Sequence, residues 1–239
     1  MKWYIPREHG AWAMLIVPYW IGAITSGFQW GHLLFFLGVF SFYFAQSPLL
    51  TYIRNTKKSD VWPSFIVYMI IGGMFTVPYV IIYPHILFIG SVIIALFACN
   101  VYFAKTKRER WFINDLIAIV ALSSLLPIAH IISGNVLQGH VFTYLFLTVL
   151  YFTSSVFHVK SLIREKNNRL FHKWSFAYHI AIVIITIYLQ YYLIAIVFII
   201  TFLKAIAFPK QLLKKPMNIG IVEIINSLLF FIFIILHHI

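Results

Sequence analysis

Two acids in this chain sit where chemistry is expected. Asp115 follows the cation run Lys105–Arg110 and begins a long apolar stretch, and Glu223 lies in "MNIGIVEIINS" with apolar neighbours on both sides. A carboxylate at such a depth costs ~1–3 kcal/mol unless it is paired or hydrated, so both are expected to face inward, toward cations. The second concentration is "FHVKSLIREKNNR", which sets His158, Lys160, Arg164 and Glu165 within about two helical turns. Lys160 and Arg164 are four apart, so a continuous helix would carry both on one face and offer a seat for a phosphate. Arg108, with its bidentate guanidinium, and Asn114, with its amide, are candidates for the same kind of anion. Arg7, Glu8 and His9 form a third polar group at the start of the first apolar run. Each grouping has a plainer reading as well. Acids near helix starts and cations near helix ends answer the helix dipole, and basic loops orient membrane proteins.

Long apolar segments must position these residues. Of 239 residues, 62% are hydrophobic and 10% charged, with 18 Lys and Arg against six Asp and Glu. Lipid is the solvent that such a composition fits. The net charge of +12 would point to nucleic acid on a soluble protein; here its placement points to membrane lipids instead. Apolar runs occur at roughly 9–27, 31–53, 62–82, 86–104, 112–132, 141–159, 174–189, 191–207 and 219–236. The expectation is one integral membrane domain over 1–239, an all-α bundle of about nine spans. The seventh and eighth runs are short, and one broken hairpin divided at "LQYY" is an alternative to two helices. All 18 cations fall in alternate loops, while "FQWGH", "YPH", "SGNVLQGH" and "LQYY" carry no Lys, Arg, Asp or Glu. The positive-inside rule then places the N-terminus in the cytoplasm and the C-terminus outside.

The single cysteine excludes a disulfide framework and a thiolate cage. Ten histidines raise a haem or metal reading, but their spacings and depths do not form a ligand set, so no metal site and no cofactor is predicted. There is no Gly-rich nucleotide loop, no HExxH and no Ser/His/Asp constellation.

"REHGAWAML" at 7–15, "RERWFINDLIA" at 108–118, "VKSLIRE" at 159–165 and "GIVEI" at 220–224 resemble the YwiC-like bacterial membrane proteins. That likeness spans nearly the whole chain and implies the bacterial cytoplasmic membrane. More distantly, "VYFAKTKRERWFIND" followed by "LLP" is similar to a stretch of UbiA-type intramembrane prenyltransferases. Those enzymes have nine helices and use two acidic motifs to hold magnesium on a prenyl diphosphate. The resemblance implies a UbiA-like fold, an isoprenoid or related lipid substrate, and Mg2+. At the first motif this chain reads "FYFAQSPLL", without an acid, and at the second only Glu165 is acidic. Lys160 and Arg164 would then neutralise the head in place of metal, and Asp115, Glu165 and Glu223 are the catalytic candidates. The lead expectation is binding, with prenyl-type transfer as its extension, of a lipid with an anionic head in a cytoplasm-facing cavity. Small-solute transport, or assembly with a protein partner that the sequence does not name, are the alternatives.

Overall fold

Apolar stretches of about 20 residues satisfy their backbone groups within lipid by forming helices, and every apolar run of this chain does so. The computed structural model describes residues 3–6, 9–207 and 216–239, excepting the side chains of residues 9, 10, 207 and 216. Its elements are α1 (His9–Thr25), α2 (Trp30–Arg54), a 3-10 turn (Ser59–Val61), α3 (Trp62–Ile82), α4 (His85–Lys105), α5 (Phe112–Ser123), α6 (Leu125–Ile132), α7 (Gly139–Ile163), α8 (Arg169–Tyr188), α9 (Tyr192–Ala207) and α10 (Pro216–His238). No strand occurs among the described residues. Among the described residues, seven helical segments are long and apolar enough to cross a membrane, with α5 and α6 counted together. The expected multi-span helical class holds. Helices α1 and α9 are shorter, at 17 and 16 residues, a rise of about 24–26 Å against a hydrocarbon core of about 30 Å.

The fifth apolar run is not one helix. It breaks at Ser124, three residues before Pro127. Proline has no N–H for the carbonyl four residues back, and its ring crowds that carbonyl. The Ser124 N–H and hydroxyl both reach the Val120 carbonyl, at 3.0 and 2.8 Å, and close α5 there. Pro18, Pro48 and Pro78, in contrast, lie inside uninterrupted helices. The segment around "LQYY" is a tight turn between two helices. Gln190 takes φ +65°, and the Tyr191 N–H reaches the Thr186 carbonyl at 3.0 Å, a left-handed helix cap. Lys107 (φ +59°) closes α4 in the same way, with the Arg108 N–H on the Phe103 carbonyl at 2.8 Å.

The chain divides into two compact units, residues 1–141 and 142–239. In the first, α1 packs on α6 and α5, α2 on α3, and α4 on α5. Glycines permit the closest crossings. A Cβ at Gly22 would lie 2.2 Å from the Leu126 carbonyl oxygen, and one at Gly72 would lie 2.4 Å from the Phe42 ring. The core here is apolar and aromatic, built on Leu15, Tyr19, Phe35, Tyr43, Leu125 and Ile128. The outer face of α3 exposes Ile66, Ile70, Met74, Val77 and Ile81, spaced three or four apart. A stripe of that kind is stable only against lipid or another apolar surface.

The second unit reverses the usual pattern. Helix α9 packs on α8 and α10, and α7 reaches α10 through the stacked rings of Tyr151 and Phe230 (4.2 Å) and α8 through Tyr178, whose hydroxyl donates to the Leu150 carbonyl. Its outward residues are apolar: Ile184, Ile196, Leu203, Ile225 and Leu228 are exposed. Its buried residues include Ser155, His158, His179, Thr201, Lys204, Glu223, Asn226 and Ser227. Polar side chains turned inward and apolar ones turned outward are what a lipid solvent selects.

Candidate functional site

Glu223 anchors the inward polar cluster of the second unit. Its carboxylate is 6% exposed and meets Lys204 of α9, itself 7% exposed, at 2.7 Å. Ser155 of α7 donates to the other carboxylate oxygen at 2.6 Å, and His158, one turn on, places Nε2 3.8 Å from Oε1. Removing two charges from water costs several kcal/mol per ion, so close geometry and added hydrogen bonds are what make such a pair tolerable. Both are present here.

Hydrogen bonds extend from the pair toward the middle of α10. Ser227 donates to the Glu223 carbonyl at 2.7 Å and receives the Tyr151 hydroxyl at 3.2 Å. Asn226 gives its amide N–H groups to Tyr151 and to Thr201, both at 3.1 Å. On the α8 side, His179 is fully buried, and its Nδ1 lies 2.7 Å from the Ser175 carbonyl. A carbonyl only accepts, so Nδ1 carries the proton and Nε2 presents a lone pair. That Nε2, and both ring nitrogens of His158, are buried without a hydrogen-bond partner. Buried polar atoms are nearly always paired, so three such nitrogens beside an ion pair mark a place to look for chemistry. His179 is also within electrostatic reach of both Lys204 and Glu223.

The residues singled out by sequence are spread wider. Lys160 is 5% exposed inside α7, not in a basic loop. The helix ends at Ile163, so Arg164 falls just beyond it and is exposed, its backbone N–H still on the Lys160 carbonyl at 3.0 Å. Glu165 accepts from Asn168 at 2.8 Å, and Asn168 caps α8 by accepting from the Phe171 N–H. Glu165 thus steadies a helix start.

In the first unit, Asp115 occupies the first turn of α5, half-buried. A carboxylate there answers the positive end of the helix. Asn114 is engaged within the protein: its amide donates to the Glu109 carbonyl at 3.0 Å, and its own oxygen accepts from Asn100 at 2.8 Å. It ties the 105–111 loop to α4 and α5. Arg108 lies over the Trp111 ring at 4.8 Å, and Arg54 pairs with Glu109 at the exposed surface. Tyr4 donates to Asp60 at 2.7 Å, which holds its phenol above the ordinary value because the bond favours the protonated form. Arg7, Glu8 and the side chain of His9 lie outside the described residues. Asp115 belongs to the first unit and Glu223 to the second.

Sequence reasoning passed over Ser155, Tyr151, His179, Thr201, Lys204 and Asn226 as members of a site. A signal was present. Ser175, His179 and Thr186 recur at helical spacing on α8, as do Thr201 and Lys204 on α9, and Glu223, Asn226 and Ser227 on α10, each within an apolar helix.

The profile described as YwiC-like protein matches residues 5–130. The uncharacterized protein YwiC of Bacillus subtilis (strain 168) is 31% identical over 235 residues, covering 96% of each chain. The chain belongs to the YwiC-like family. An uncharacterized protein of Haemophilus influenzae is 25% identical over 236 residues, covering 98% of each chain. No solved structure matches. The YwiC-like profile match falls within the first unit, whereas both relatives align across the second as well, through the region of Glu223 and Lys204.

Proposed function

We propose that this YwiC-like protein binds a lipid with an anionic head at the cation-bearing end of its second unit, in the bacterial cytoplasmic membrane with the N-terminus in the cytoplasm. The observation that carries the reading is the burial of two lysines, Lys160 and Lys204, near the ends of α7 and α9 inside an apolar helical unit. Nine of the 18 cations but only two of the six acids follow residue 141, so the unit as a whole is positive. Positive charge withdrawn from water in a membrane protein marks a path or seat for negative charge. Arg164, exposed just beyond the end of α7, supports the reading as a cation able to contact a headgroup in bidentate fashion. The likeness to UbiA-type prenyltransferases rests on the 101–127 stretch and extends the proposal to an isoprenoid tail.

Native mass spectrometry of the purified protein tests this. The wild type retains an anionic lipid. Lys160→Gln and Arg164→Lys lower its retention several-fold, the second because a point charge replaces a bidentate fork. Lys57→Arg, on an exposed loop of the first unit, changes nothing. Equal retention across the set, or an empty protein that exchanges solute across vesicles, overturns the reading in favour of an orienting charge face or of transport.

A further inference from the structure

We propose that Glu223, Lys204, His158 and His179 form an intramembrane site that takes up one proton together with one anion. The inference rests on the anion-binding reading above and adds its coupling.

Charge balance couples the two ligands. Glu223 and Lys204 neutralise each other at 2.7 Å, and His158 and His179, buried at 2% and 0% exposure, are the bases beside them. An anion that approaches Lys204 meets the Glu223 carboxylate on the same ammonium. Two negative charges on one buried cation repel, and protonating one of the bases relieves the repulsion. Conversely, a proton that arrives alone leaves the cluster with an uncompensated positive charge in a low dielectric, which an anion offsets. Each partner therefore favours the other, and linkage makes the coupling reciprocal.

The acceptors are in place. His158 Nε2, 3.8 Å from Glu223 Oε1, and His179 Nε2 carry no hydrogen bond. The groups around the pair come from all four helices: Tyr151, Ser155 and His158 on α7, with Lys160 the next cation along; His179 on α8; Thr201 and Lys204 on α9; Asn226 and Ser227 on α10. Lys204 is the buried cation in contact with the carboxylate, so its charge favours the anion and opposes the proton until the anion comes to share it with Glu223. In the step, the proton forms one N–H bond on an imidazole or one O–H bond on Glu223. The Lys204–Glu223 contact opens, and the anion takes the ammonium. The proton comes from solution, where one O–H bond of hydronium breaks and leaves water, and no covalent bond of the anion changes. The anion is an oxyanion, either free or as a lipid headgroup.

Nitrate is a suitable free probe because it is an oxyanion with a single charge that is constant near neutral pH. Phosphatidylcholine nanodiscs with or without phosphatidylglycerol supply the headgroup arm. Binding is followed by calorimetry, and proton uptake by an indicator dye in weak buffer. Expected is about one proton absorbed per anion, with affinity falling about tenfold for each pH unit of rise across the titration. Response to nitrate identifies a free-anion site, and response to phosphatidylglycerol alone a headgroup site. Glu223→Gln binds the anion with reduced proton uptake and a flatter pH profile. The Lys204→Met, Glu223→Gln double variant, which strands no charge in the pair, takes up neither. Wild-type binding without proton uptake and with one affinity at every pH overturns the coupling and leaves the anion-binding reading standing. Binding of neither probe, at any pH, by wild type or Glu223→Gln overturns both.

Discussion

Lys204 and Glu223 each depend on the other for a tolerable place in the protein. Removing one partner of a buried pair strands the other, at a cost of about 3–5 kcal/mol, whereas replacing both by neutral groups of similar volume is often close to neutral. Lys204→Met is therefore expected to lower the thermal midpoint of the purified protein sharply, and the Lys204→Met, Glu223→Gln double variant to recover most of the loss. A double variant as unstable as the single one would mean that Ser155 and the rest of the network, not the opposite charge, support Glu223. The Arg54–Glu109 pair lies at the surface, with Arg54 exposed and Glu109 half-buried, and surface pairs contribute about 0–1 kcal/mol. Glu109→Gln is expected to leave the midpoint nearly unchanged, in contrast to Lys204→Met.

Among the elements, the crossing of α1 and α6 sets the hardest steric demand. The break at Ser124 starts a new helix whose Leu126 carbonyl occupies the space that a side chain at residue 22 would need. Gly22→Ala forces a backbone shift and is expected to cost at least the ~1–3 kcal/mol of ordinary overpacking. At Gly73, within α3, an added Cβ would meet nothing within 4 Å. Gly73→Ala is expected to be neutral or to stabilise by up to about 1 kcal/mol, since alanine is the better helix former. Thermal unfolding of the two variants side by side checks the crossing. If Gly22→Ala behaves like Gly73→Ala, the close approach of α6 is wrong.

For the whole molecule, orientation is the property carried by the largest number of residues. The loops holding Lys57, Lys107 and Lys166 are expected to be cytoplasmic, because every Lys and Arg lies in one alternate set of loops or at the helix ends beside them. Single cysteines at those positions, in a background in which the exposed Cys99 is replaced, are expected to resist a membrane-impermeant reagent in intact cells and to react in inverted vesicles. Reaction from outside at any of the three positions would reverse or break the topology.

Hydropathy and charge are properties read along the chain, so the sequence by itself determined the helical class, the placement of the apolar segments and the expected orientation. The inward turn of Glu223 was legible too, because lipid tolerates a carboxylate poorly and the interior was the remaining place for it. Its partner was not legible. Lys204 is 19 positions away and read as a helix-end cation, and Ser155 is 68 positions away with nothing local to distinguish it. The burial of Lys160 was not legible either, since the sixth apolar run ends at 159 whereas α7 runs on to Ile163 and takes Lys160 inside. The break before Pro127 was visible only as a proline, a residue that three other helices absorb without interruption. Which polar groups meet depends on how α7, α8, α9 and α10 rotate about their axes as they pack. That rotation is set by the sum of many side-chain contacts, so only the tertiary structure decided it.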